Sequence, residues 1–347
     1  MGFARRGAKS RRKAIRVILS SDGRTRAAHG AAGSTNRSEP RALRLPQPTD
    51  RTPLTPSPRH ASVAQRIDSL LKRLEDALAD LDEVPLLDSE RYSATHAVFE
   101  SRSDQRQRII DWLLARTSSV ESAERPVRVL GIGCGAGEVD VAVARGLGSD
   151  AETLEYVGVD PNRSQADSFK EAFAEAELPG VRVEVEIGPF EDFRSAEDFD
   201  LVHFVHSLYY MPDPAEALKR ARSSLAADGK LIFVHAPLEE LNDLAVRFYD
   251  KNYERPTLFA NDFSRLLESW NWSFERTRLE ARIDVTPFIE DEPGSGAALR
   301  DFIVQVDVAS LPPSVRELVE SYLRLISFRS GDRSFISHPV DAFVVTA

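Results

Sequence analysis

One cysteine, Cys134, stands in 347 residues, so the chain can close no internal disulfide and holds no cysteine-based metal site. A reducing compartment suits such a chain, and the cytoplasm is the expected location. No stretch approaches the roughly 18 consecutive apolar residues that a membrane span requires, so no membrane partner is expected. The 7 histidines form no cluster with ligand spacing, which leaves a catalytic metal without support. Internal repeats are absent as well.

Acidic residues are scarce at one end only. Residues 1–66 hold 15 Lys and Arg against 3 Asp and Glu, a net charge of +12, while the rest of the chain carries −22. The acidic body speaks against a nucleic-acid partner, because phosphate-backbone binding draws on clustered Lys and Arg. Six of the 20 prolines lie between Pro40 and Pro58. This basic head is too poor in apolar residues to bury a core, and residues 1–60 are expected to be disordered. A natural tail or over-called start, an organellar transit peptide and a nucleic-acid arm all remain open for it. The remainder, 42% apolar and 29% charged over the whole chain, has the composition of a globular domain.

Within that domain, Val127 to Glu138 read VRVLGIGCGAGE, a β-forming run ending in a glycine turn, and Val157 to Asn162 read VGVDPN, a second strand tipped by an acid. Alternating glycines between a strand and a helix expose bare backbone beside a positive helix end, and an acid at the next strand tip can hold ribose hydroxyls. This is the pattern of a nucleoside-cofactor site, with Gly131, Gly133, Gly135, Gly137 and Asp160 as candidate contacts. A tight turn without a ligand, or a dinucleotide fingerprint with Ala136 in place of its third glycine, would use the same letters.

Three downstream segments follow in order: IGPFEDF at Ile187 to Phe193, the strand FDLVHFVHSLYY at Phe199 to Tyr210, and ADGKLIFVH at Ala227 to His235. Alternating strands and helices predict a parallel sheet with helices on both faces. Before it, a helical period covers Ala61 to Leu81, and a second amphipathic segment covers Ser93 to Leu114. Helices are also expected at Leu238–Asn252 and Asn261–Trp270, with a strand over Phe274–Val285. The segment Thr286 to Leu325 reads as a turn and two helices, and AFVVTA as a closing strand.

Taken together, GIGCGAGEVD, VDPNRSQ, FDLVHFVHSLYYMPDP, IDVTPFIED with RDF and PPSVRELV, and the AFVV terminus resemble the histamine N-methyltransferases, small-amine members of the class I S-adenosylmethionine-dependent methyltransferases. The resemblance spans about residues 91–347. It implies a doubly wound, mostly parallel seven-stranded α/β sheet. Residues 61–120 would form an N-terminal helical cap, 121–285 with 330–347 the core sheet, and 286–329 a helical insertion on the substrate side. The implied cofactor is S-adenosylmethionine, the partner a small-molecule acceptor, and the oligomeric state a monomer.

Position by position, the resemblance places cofactor contacts on Gly133, Asp160, Gln165 and Val205, with Phe190 and Glu191 flanking another. It places the acceptor pocket on Tyr92, His96, Gln105, Tyr210, Phe302 and His338; His206, a candidate base after the strand, and Tyr210 are the candidate catalytic residues. The glutamate that holds histamine in that family falls on Gln105 here, and its partner glutamine on His206. The charged anchor is therefore replaced by a neutral amide, which points away from histamine. Transfer to an amine or imidazole nitrogen, transfer to oxygen, sulfur or carbon, and a non-catalytic cofactor-binding role stay open.

Overall fold

The computed structural model describes residues 58–117, 125–148, 153–252 and 257–346. All but the last three residues of the basic head lie outside these.

Seven strands form the main sheet: β1 (Val127–Ile132), β2 (Leu154–Asp160), β3 (Val181–Ile187), β4 (Phe199–Val205), β5 (Leu225–His235), β6 (Phe274–Leu279) and β10 (Val340–Thr346). Their order is β3-β2-β1-β4-β5-β10-β6. Only β10 runs antiparallel, between β5 and β6, and the other pairings are parallel. This is the class I methyltransferase arrangement. The order reverses between β1 and β4, so their carboxyl ends diverge into a crevice, where open α/β sheets bind ligands. β1 and β4 are buried on both faces and read as almost unbroken apolar runs, while β3, at the edge, alternates between half-buried and exposed residues.

Helices Glu138–Gly148 and Arg163–Ala176 connect β1 to β2 and β2 to β3, and pack Val143, Ala144, Leu147, Phe169 and Phe173 on one face of the sheet. Pro214–Ser223 and Ala260–Ser269 cover the other face with Leu218, Ala221, Phe263 and Leu267.

The cap and the insertion share a second core. Helix Pro58–Ala79 lays Leu71, Leu74 and Leu78 against Val315, Val319, Tyr322 and Leu323 of helix Pro313–Ile326, with Leu244 and Phe248 beneath them. Helix Ser89–Glu100 packs on helix Ser295–Val304. Arg91 fastens that contact, reaching Asp301 at 2.8 Å and Asp307 at 2.7 Å.

Two expected elements divide. The single helix expected over Ser93–Leu114 is two helices, Ser89–Glu100 and Gln105–Thr117. Between them, Ser103 bridges to Ile283, the Arg102 carbonyl accepts from the Asp284 amide at 3.0 Å, and the Asp104 amide donates to the Arg282 carbonyl at 3.2 Å. The strand expected over Phe274–Val285 likewise stops at Leu279. Arg282–Asp284 (β7) joins a separate sheet with Arg333–Ser337 (β9) and Phe328–Ser330 (β8), in the order β7-β9-β8. Both interruptions come from one tertiary pairing, and it carries Gln105 to the start of a helix facing the crevice.

Candidate functional site

The glycine turn after β1 is pressed against the end of β4. Gly133 has φ +64°, and a Cβ on it would stand 2.4 Å from Cβ of Ser207, whose hydroxyl donates to the Ile132 carbonyl at 2.6 Å. Only glycine meets both demands. The Gly133 amide donates to the Val159 carbonyl at 2.8 Å, which joins the turn to β2.

At the tip of β2, Asp160 is 8% exposed; its Oδ2 accepts from the Gly135 amide at 3.0 Å and its Oδ1 from the Asn162 amide at 2.8 Å. Burial raises its carboxyl above the usual carboxylate range, and the two amide donors partly offset that. Each oxygen keeps a further lone pair for a ligand hydroxyl. Gln165 brings its side-chain oxygen to within 3.6 Å of where a Cβ on Gly135 would be. Bare backbone, a paired-acceptor carboxylate and a nearby amide in one crevice fit a nucleoside carrying an amino-acid tail.

Three expected contacts take other parts. Gly131 lies inside β1, and the space its side chain would fill is held by Asp140, whose Oδ1 would stand 2.2 Å from a Cβ there. Gly137 makes room for the ring of Phe169, 2.8 Å from where its Cβ would be. Phe190, 2% exposed, is a core ring, packed on Phe193 and edge-on to Phe204 with Arg220 above it. Its neighbour Glu191 is half-buried, as is Val205 at the end of β4.

Across the crevice, residues from distant parts of the chain meet as an aromatic enclosure. Phe302 lies 5.5 Å from Tyr92, 5.1 Å from His96 and 4.7 Å from Phe99, between ring centroids. Phe99 stands edge-on to His338 at 5.0 Å. Tyr210, 53% exposed, hydrogen-bonds to Tyr92 at the rim. All six acceptor-pocket candidates belong to this enclosure or its floor.

The floor is polar and hydrogen-bonded within itself. The Gln105 amide nitrogen donates to the His338 carbonyl at 2.7 Å, which turns its oxygen toward His206 at 2.9 Å. An amide oxygen can only accept, so His206 carries its proton on Nε2. Its bare Nδ1 faces the Tyr209 hydroxyl at 3.4 Å, and that hydroxyl accepts from the Ala236 amide at 2.8 Å. His206 sits in the left-handed region at φ 53°, a strained conformation for a residue with a side chain. Burial lowers its pKa to about 4, and burial does the same for His338. Both rings are neutral at pH 7.

Two charged residues beside the enclosure escaped the reading of the sequence. Glu100 lies 3.5 Å from His96 and 2.7 Å from Arg106, and Arg106 also pairs with Glu138 at the head of helix Glu138–Gly148. Burial pushes the Glu100 carboxyl up, but His96 and Arg106 outweigh it and hold the group below the usual range. Its charge is thus matched within the protein. Glu100 follows His96 by four residues, so one helix face would place it here; the bridging by Arg106 has no signature in the sequence.

The sequence matches the family described as "Methyltransferase domain" over residues 101–282. Histamine N-methyltransferase of Xenopus tropicalis is 25% identical over 251 residues, covering 63% of this chain and 81% of that protein. Histamine N-methyltransferase A of Xenopus laevis is 26% identical over 241 residues, with the same coverage of each chain. Among solved structures, the plantazolicin methyltransferase BpumL in complex with SAH aligns with a TM-score of 0.44 at 13% identity, over 82% of this chain and 99% of its own.

Proposed function

The chain belongs to the methyltransferase-domain family, its cofactor is S-adenosylmethionine, and from that premise we propose that it methylates an uncharged nitrogen, an imidazole or aromatic amine, of a small flat acceptor. The observation that carries this reading is the floor of the enclosure. Where an anchoring carboxylate would hold an ammonium group there is Gln105, neutral, buried and closed on His206 and the His338 carbonyl.

In this reading Gly133, Asp160 and Gln165 hold the cofactor, with Glu191 and Val205 beside them. Tyr92, His96, Phe302 and Tyr210 sandwich the acceptor ring, and Phe99 backs them. When bound, S-adenosylmethionine supplies a methyl group already activated by its positive sulfur. The protein has to orient the acceptor lone pair in line with that methyl at about 3 Å and exclude water. His206 and Gln105, bonded to each other and to the His338 carbonyl, form a neutral floor under the acceptor.

A proton step separates the acceptor classes. With a pKa of about 4, His206 is a poor base toward an alkylammonium group. A neutral imidazole or aromatic amine offers its lone pair without prior deprotonation. A hydroxyl or thiol acceptor would need the base that His206 does not provide at neutral pH, so the nitrogen reading is favoured over transfer to oxygen or sulfur.

Incubation of the protein with labelled S-adenosylmethionine and a pool of imidazoles, aromatic amines, alkylamines and phenols, followed by mass spectrometry of the products, tests this. N-methylated imidazoles or aromatic amines are expected to dominate. Exclusive labelling of phenols or alkylamines would overturn the reading.

A further inference from the structure

Beneath the glycine turn lies a buried polar group that the acceptor chemistry does not use. Asp140, Tyr156 and His203 are 3%, 0% and 2% exposed. The Tyr156 hydroxyl stands 2.7 Å from His203 Nε2 and 3.0 Å from Asp140 Oδ1, and His203 Nε2 is 3.4 Å from the same oxygen.

The proton positions follow from what has a partner. His203 Nδ1 is buried with no hydrogen-bond partner, so a proton there would be stranded. A proton on Nε2 is donated to the Tyr156 oxygen, and Tyr156 then donates to Asp140. Every hydrogen finds an acceptor when the relay runs from a neutral His203 to an ionised Asp140. The carboxylate also lies in the first turn of helix Glu138–Gly148, where the helix dipole favours a negative charge.

Gly131 allows that charge to sit directly under the turn, because Asp140 Oδ1 occupies the space of its absent side chain. The field of Asp140 reaches the ligand side. After burial, Asp140 and then Asp160 push the Cys134 thiol up, and Asp140 adds to the rise of the Asp160 carboxyl. Low-dielectric surroundings weaken such a field far less than water would.

On the premise that the crevice binds S-adenosylmethionine, we propose that Asp140 is a positioning residue that biases the site toward the cationic methyl donor over its thioether product. The two ligands differ by one methyl group and one positive charge at sulfur. A buried anion fixed under the turn distinguishes them by charge without touching either, and it favours product release once the sulfonium charge is gone.

Calorimetric titration of the full chain with S-adenosylmethionine and S-adenosylhomocysteine tests this through the ratio of their Kd values. Asp140→Asn should cost the donor about tenfold more affinity than the product, as expected for removal of one unit charge in such surroundings. Asp140→Ser, a smaller neutral replacement, should shift the ratio the same way and stands in if the asparagine variant does not fold. Equal weakening of both ligands in the Asp140 variants would reduce Asp140 to a structural role and overturn the proposal. Failure of the unsubstituted protein to bind either ligand would instead contradict the cofactor assignment.

Discussion

His206 Nε2 and the side-chain oxygen of Gln105 are 2.9 Å apart, and Gln105 is held in that orientation by the His338 carbonyl at 2.7 Å. The pair joins the end of β4 to the start of helix Gln105–Thr117, so a hydrogen bond links the cofactor crevice to the cap. It also fixes which histidine nitrogen is bare and keeps charge out of the pocket floor.

Half-buried His206 and fully buried His235 both resist protonation, which makes stability fall in acid. An unfolded histidine takes up a proton near pH 6.5, whereas folded His206 resists until about 4 and His235, fully buried, until about 3. Their contribution is complete above about pH 6.5 and is lost as pH falls, because the unfolded chain then binds more protons. Chemical denaturation at pH 7.5 and pH 5 should show a loss of about 1–2 kcal/mol per ring. His206→Gln should flatten the slope by one ring's share; an unchanged slope would show that His206 is not held neutral.

Asp160, proposed to recognise the cofactor, also ties the glycine turn to the end of β2 through the Gly135 and Asn162 amides. Asp160→Ala should weaken S-adenosylmethionine and S-adenosylhomocysteine by about 1–3 kcal/mol through the loss of charge-assisted hydrogen bonds. Calorimetry should show no binding of NAD by the parent protein. Binding of NAD, or unaltered affinity in the variant, would remove Asp160 from the proposed site.

The clamp from Arg91 to Asp301 and Asp307 holds the helix bearing Tyr92 and His96 against the one bearing Phe302. Arg91→Ala should raise KM for the acceptor several-fold and leave cofactor Kd within about twofold. It should also cost about 1–3 kcal/mol of stability, because Asp301 is buried and loses a partner. Equal effects on cofactor and acceptor would mean that the clamp supports the whole fold rather than the enclosure.

The parallel sheet was legible because β1 and β4 are apolar runs and the glycine turn marks where strand becomes helix. The cap helices were legible by period, but their break was not. Ser101 to Asp104 carry no strong helix breaker, and only pairing with Arg282–Asp284 separates the two helices. The three-stranded sheet was missed because β7 and β8 have three residues each, too few for a period. Gly131 shows the limit at the site itself: its letter signals a bare turn, while its cause is Asp140, a residue nine positions on. Phe190 shows the converse, a motif position whose ring is taken by the core.

The proposed role of Gln105 as a neutral pocket floor is tested most directly by steady-state rates. Histamine, an alkylammonium at neutral pH, should be methylated with a kcat/KM at least about tenfold below that of a neutral imidazole or aromatic amine, the difference of one charge-assisted contact of about 1.5–3 kcal/mol. Gln105→Glu should narrow that gap by restoring a charge beside His206, at a cost in stability because the His338 carbonyl loses its donor. Efficient turnover of histamine by the unsubstituted protein, or no response of the ratio to Gln105→Glu, would contradict the assignment of this pocket.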